Sequence, residues 1–394
     1  MRERFSVQPS SLRTPTNMSQ RAHVHRHQWE GVYTQDFTLD GFRRRGYRLG
    51  EVLAERKWSC LVAHDTRFMA GQFARYAYQC LEAQGVQVSF CPTPAPFPAV
   101  ELALEQKRAD AALIVSAGNR PFWYNGMIVL TPPLDLLLLQ DETPVSAAAV
   151  PFPPAPLANS ERTQIDLRSP YLETLRGAVE VDLIRRAPLT IFVDAMNGTT
   201  SGYIPAALGE GGQTKAIEIN RETDPLFSRQ PPQPSESGFS RLRKLVRESD
   251  SHFGVALAAD GRAIGVADNT GEMVRPLDLT LLVAQYLSRQ YRQRGLIVAP
   301  WPADAAEHTV DLRTWEETTG LKVELVDDPA ARVAELLNQD RNSLLVGTTA
   351  AGEVTLGRYG ASPDATLVAL LLIELVARFG GRLRTLIDEL KGLL

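Results

Sequence analysis

A strand-then-helix rhythm that starts three times over constrains this 394-residue chain more than any single motif. Short apolar runs read as buried strands at 59–65, 86–91, 111–116 and 126–130, with helical spacing over 71–84 and 99–107. The rhythm restarts with strands at 189–194, 216–220, 254–258 and 263–268. A long helix over 277–294 follows and stops at Gly295. The third series has strands at 296–299, 321–326, 344–348 and 353–356, and helices at 303–319, 329–338 and 364–379. Strands separated by helices of this length need right-handed crossovers and lie mostly parallel. The fold class is therefore α/β, with three tandem α/β/α domains built on mostly parallel mixed sheets.

The boundaries follow from composition. Residues 1–28 are polar and unpatterned and read as a disordered leader. The first domain takes 29–143, a Pro/Ala-rich linker 144–165, the second domain 166–294 and the third 295–394. Pro144, Pro151, Pro153, Pro154 and Pro156 bar regular structure from that linker. The amphipathic tail 383–393 carries apolar residues at helical spacing. It packs onto the third domain or offers a face for a protein partner or self-association.

Charge and composition exclude several classes of function. A net charge of −4 gives no global field to recruit nucleic acid, and the Arg43-Arg44-Arg45 run reads as the solvated face of a helix. No apolar run approaches the roughly 18 residues of a membrane span, and the start lacks the apolar core of a signal peptide. Three cysteines, Cys60, Cys80 and Cys91, are too few and too unevenly spaced for a disulfide framework or a zinc site, and free thiols suit a reducing cytoplasm. His23, His25 and His27 alternate, a spacing that on a strand would gather imidazoles for a transition metal. No carboxylate or thiol stands nearby, so an incidental cluster is the simpler reading.

The segment 114–126 runs Ile-Val-Ser-Ala-Gly-Asn-Arg-Pro-Phe-Trp-Tyr-Asn-Gly and resembles the phosphoserine loop of the α-D-phosphohexomutases (phosphoglucomutase and phosphomannomutase relatives). That loop reads roughly Thr-Ala-Ser-His-Asn-Pro, followed by Tyr-Asn-Gly. Other segments resemble the family in the same order: Trp29-Glu30-Gly31-Val32, Asp65-Thr66-Arg67, Pro92-Thr93-Pro94, Val193-Asp194-Ala195-Met196-Asn197-Gly198 and Asp224-Pro225-Leu226-Phe227. The resemblance implies three similar α/β domains followed by a smaller fourth. This chain stops about where the third would end and carries no Arg-x-Ser-Gly-Thr-Glu loop, so a fourth domain is expected to be absent.

Position by position, the resemblance puts catalysis in question. Ala117 stands at the phosphoserine position and Gly118 at the histidine, which leaves Ser116 as the alternative phosphoacceptor. The family's Asp-Gly-Asp-Ala-Asp-Arg metal loop falls on residues 258–263, where Asp260 alone remains and Arg262 replaces a carboxylate. Three alternating carboxylates would suit the Mg2+ that the resemblance implies; one acid beside a guanidinium does not, and no cofactor is expected. The sugar-reading Gly-Glu-x-Ser-Gly becomes Gly347-Thr348-Thr349-Ala350-Ala351, and Glu30 replaces an early arginine. Arg67, Asn119 and Arg120 remain as candidate ligand contacts, with a salt bridge to Asp65 as the structural role for Arg67. The losses fall in separate segments. Together they imply a phosphohexomutase-like protein that has lost phosphosugar mutase activity and serves in binding, regulation or assembly, with a protein partner favoured over a phosphosugar. The alternative is an active intramolecular phosphotransferase using Ser116.

Overall fold

The computed structural model describes residues 25–132, 152, 164–301 and 310–392. The first unit contains β1 (His25–Val32), α1 (Leu39–Arg56), β2 (Cys60–His64), α2 (Ala70–Glu82), β3 (Val88–Phe90), α3 (Phe97–Glu105), β4 (Ala111–Val115) and β5 (Tyr124–Thr131). Its strands lie in the order β1-β5-β4-β2-β3. β2 runs parallel to β3 and β4, and β5 runs antiparallel to β4 and β1.

β1 begins inside the segment predicted as a disordered leader. His25 pairs with Thr131 at one end of the ladder and Val32 with Tyr124 at the other. An edge strand has one neighbour and solvent beyond, so its polar residues hid the alternation that marks a half-buried strand. His25 and His27 occupy alternate positions of β1, whereas His23 lies outside the described residues. On α1, Arg43 and Arg44 both pair with Asp40, and Arg45 lies over the Trp29 ring at 4.0 Å. Thr38 caps this helix by accepting from the Gly41 N–H at 3.1 Å.

The second unit carries α4 (Arg168–Ala178), α5 (Val181–Arg186), β6 (Thr190–Asp194), α6 (Tyr203–Leu208), β7 (Lys215–Ile219), α7 (Glu236–Glu248), β8 (Phe253–Leu257), β9 (Ile264–Asp268) and α8 (Pro276–Tyr291). The third carries β10 (Leu296–Pro300), α9 (Leu312–Thr319), β11 (Lys322–Val326), α10 (Pro329–Gln339), β12 (Leu344–Thr348), β13 (Val354–Thr355), α11 (Ala365–Phe379) and α12 (Leu383–Leu390). The two sheets repeat one design, β7-β6-β8-β9 and β11-β10-β12-β13, each with three parallel strands and an antiparallel edge.

Packing does not follow chain order. Helix α8 precedes the third sheet but lies on its strands β10 and β12, while α11 follows that sheet and lies against α5, α4, β8 and β9 of the second. Apolar periodicity makes a helix but does not name the sheet it covers, so a boundary drawn at residue 294 separates α8 from the sheet it packs on. The exchange merges the cores. One contiguous apolar cluster runs from Leu61 and Ala112 through Val255 and Leu257 to Val346 and Leu371. The opposite face of the first sheet has its own cluster, with Phe37, Phe42, Phe73 and Tyr76.

The predicted linker lies mostly outside the described residues. Of its described members, Phe152 packs on the Phe73 and Tyr76 rings, each at 5.7 Å, and Ile165 donates its N–H to the Phe90 carbonyl at 3.0 Å. Helix α12 buries Leu383, Leu386 and Ile387 and packs on α8. All three cysteines are free and buried, and burial pushes the Cys60 thiol up to about 12 and Cys80 to about 11. No helix among the described residues is long and apolar enough to cross a membrane.

Candidate functional site

Three turns, one from each unit, meet at a single point. The first lies between β4 and β5. Ser116, one residue past β4, donates its N–H to the Gly126 carbonyl at 3.1 Å, and its Oγ accepts from the Gly118 N–H at 3.0 Å. The residue is only 2% exposed. Ala117 is buried as well, with a methyl group in place of any hydroxyl.

Arg67 builds this loop. Its Nε donates to Asp65 Oδ2 at 3.1 Å, Nη1 to the carbonyls of Pro121 (2.8 Å) and Tyr124 (3.2 Å), and Nη2 to those of Gly118 (2.6 Å) and Arg120 (2.7 Å). A guanidinium has five N–H donors, and all five are engaged. The predicted salt bridge to Asp65 is present, and no donor is left for a ligand. Burial pushes the Asp65 carboxyl up, offset in part by the charge of Arg67. Arg120 points outward and pairs with Glu30, which raises its pKa. Glu30 thus holds the loop arginine. Asn119 lies in the same loop with its side-chain oxygen buried and unpaired, while Asn125 donates to the Phe68 carbonyl at 3.0 Å.

The second turn follows β8. Asp260 accepts from the Arg262 N–H at 3.1 Å through Oδ1 and from its Nε at 2.8 Å through Oδ2. Both side chains are buried, at 5% and 8% exposure. Burial drives the Asp260 carboxyl upward, but Arg262 more than offsets it and the group ends below the ordinary carboxylate range. The third turn follows β12. Thr349 accepts from the Gly352 N–H at 3.0 Å through its carbonyl, and Glu353 reaches Arg262 Nη1 at 3.3 Å.

These turns close on one another at Gly118, whose φ is +55°, a left-handed conformation that disfavours side chains. A Cβ there would lie 3.0 Å from Arg262 Nη2 and 3.6 Å from Asp260 Oδ2. The glycine and the arginine, 144 positions apart by their numbers (262 − 118), therefore fit each other in space. The turn at 116–120 and the turn at 258–263 thus form one packing arrangement. Two participants lay outside the sequence reading. Glu353 fell at the start of a predicted strand, and Phe97, whose ring lies 5.0 Å from the Arg262 guanidinium, opens a helix. Neither position carries a signal in its own neighbourhood.

The donor set does not fit a divalent cation. Both Asp260 oxygens are taken by Arg262, whose fixed charge lies inside the turn. Among the described residues no group of three or more His, Cys, Asp or Glu side chains could hold a metal ion.

Residues 24–135 match the phosphoglucomutase/phosphomannomutase α/β/α domain I, and residues 169–271 match domain II of the same family. The chain belongs to the phosphoglucomutase/phosphomannomutase family. Its relatives include a phosphoglucomutase/phosphomannomutase of Thermococcus kodakarensis, 26% identical over 91% of this chain and 78% of that one. A phosphoglucosamine mutase of Teredinibacter turnerae is 30% identical over 66% of this chain and 57% of its own length. Among solved structures, a phosphoglucomutase/phosphomannomutase family protein from Burkholderia thailandensis shares the fold, with a TM-score of 0.71 at 21% identity. That match covers 91% of this chain and 77% of that one.

Proposed function

We propose that this family member does not transfer phosphoryl groups and acts by binding, in a regulatory or assembly role. One observation carries the reading: the Arg262 guanidinium, paired with Asp260 and Glu353, is packed against the Ala117–Gly118 turn. Phosphoryl transfer relies on a positioned nucleophile and on cations placed to neutralise developing charge. Here the nucleophile position is a methyl group, the carboxylate is occupied by an arginine, and the loop's Arg67 has no free donor. Three buried free thiols support a reducing cytoplasm as the setting. A protein partner or self-association near α12 belongs to the same proposal, and size-exclusion chromatography of the full chain tests it.

A second reading, an active mutase using Ser116, is favoured by the relatives' names. Against it, the Ser116 hydroxyl is buried and already accepts from the Gly118 N–H. Both readings meet one experiment. Glucose 1-phosphate, mannose 1-phosphate and glucosamine 1-phosphate are incubated with the protein and magnesium, and intact mass is recorded. We expect no turnover and no phosphorylated protein; turnover abolished by Ser116→Ala would establish the mutase.

A further inference from the structure

The turn at 258–263 touches more of the molecule than its length suggests. Its backbone is shared among the units: the Asp260 carbonyl accepts from the Phe97 N–H at 2.9 Å in the first, and the Gly261 carbonyl from the Ala365 N–H at 3.0 Å, where α11 begins. At its end, Ala263 and Glu353 form an antiparallel bridge, and Ile264 donates to the Gly352 carbonyl at 2.9 Å. The Arg262 side chain repeats this three-way pattern in charge. It binds Asp260 of its own unit, Glu353 of the third, and lies over Phe97 and against Gly118 of the first.

We propose that Arg262 is a protein-borne cation that fixes the three α/β units around this turn, so that their arrangement needs no bound divalent ion. The proposal shares with the functional reading only the premise that the site takes no metal. A bound ion leaves when its concentration falls, whereas a guanidinium on the chain is always present and always charged. Its two carboxylate partners come from different units, so the attraction acts across a domain boundary, in surroundings where screening by water is weak. Removing the cation alone leaves the buried Asp260 without its closest partner and the part-exposed Glu353 without its ion pair, with only the more distant charge of Arg26 to offset them. Removing both members of its closest pair removes attraction and penalty together.

The test is thermal unfolding of the full chain in excess EDTA and in millimolar magnesium chloride, for the wild type and three variants. The wild type is expected to unfold at the same temperature in both. Arg262→Met is expected to lower the midpoint by about 5–10 °C, the size expected for an unpaired buried charge in a chain of this length. Asp260→Asn with Arg262→Met is expected to recover much of that loss. Arg262→Lys, which keeps the charge, is expected to retain most of the stability and guards against a methionine variant that fails to fold. Stabilisation of the wild type by magnesium overturns the proposal. So does a lysine variant as unstable as the methionine one, or a double variant no better than the single, since either outcome makes Arg262 a packing residue rather than a charge. Mutase turnover would overturn the functional reading and leave these midpoints as they are.

Discussion

Arg67 and Arg262 start from the same local geometry and end in different roles. Each follows an aspartate by two residues, donates its backbone N–H to one carboxylate oxygen and its Nε to the other, and is buried. Arg67 directs its remaining donors to four carbonyls of one loop in its own unit. Arg262 turns outward to a carboxylate and a ring in the other two units. An Asp-x-Arg turn therefore orients a guanidinium without deciding what it holds. Partners presented by the surrounding fold decide that, carbonyls in one case and a charge in the other.

The largest expected effect breaks the first member of the pair. Arg67→Ala strands a buried carboxylate and frees four carbonyls, and is expected to destabilise the chain by about 3–5 kcal/mol or more in urea unfolding. That loss should exceed the loss for Arg262→Met; the reverse order would show that the junction between units matters more than the loop. Next comes the contact between Gly118 and Arg262. Gly118→Ala puts a side chain at positive φ and against a guanidinium, with an expected loss of about 1–2 kcal/mol from the backbone alone. In an Arg262→Ser background the steric part should vanish, leaving the backbone part, and a double-mutant cycle measures the difference.

The smallest effect is a pH dependence that separates the ion pairs from the acids near them. Burial pushes Glu101 up to about 7 and Asp364 to about 6; Asp364 also accepts from the Tyr171 hydroxyl at 2.7 Å and caps α11. Both groups bind protons more tightly folded than unfolded. Their contribution is therefore fully present below the ordinary carboxylate values and is lost as pH rises through about 6 to about 7. Asp260 is shifted the other way, so its contribution holds at neutral pH and is lost only in acid below its ordinary value of 3.8. The thermal midpoint should thus rise between about pH 8 and about pH 6 before falling in acid. Glu101→Gln should flatten the rise without touching the acid limb.

Much of the fold was legible because strand and helix periods are local. The strands from β2 to β13 fall within a few residues of their predicted positions, and the two designs of mixed sheet follow from crossover rules. Helices α5 and α6, with six residues each, have too few turns to show an apolar period, α4 and α7 were not read either although they hold 11 and 13 residues, and β1 escaped because its polar face masked its alternation. At the site, Ala117, Ser116, Asp65, Arg67, Asp260 and Arg262 were all identifiable from the sequence, and the Asp65–Arg67 pair could be expected from their spacing. The partners of Arg120 and Arg262 could not. Glu30 lies 90 positions from Arg120 and Glu353 lies 91 from Arg262, and nothing near either acid announces the contact.

By itself, then, the sequence determined three α/β units, their family, and an alanine and a lone aspartate in the two turns that resemble the family's loops, since each depends on residues close together in the chain. Only the tertiary structure decided which sheet α8 and α11 cover. It alone showed that Gly118, Arg262 and Glu353 belong to one arrangement, because charge and steric fit act through space between segments that chain order keeps far apart.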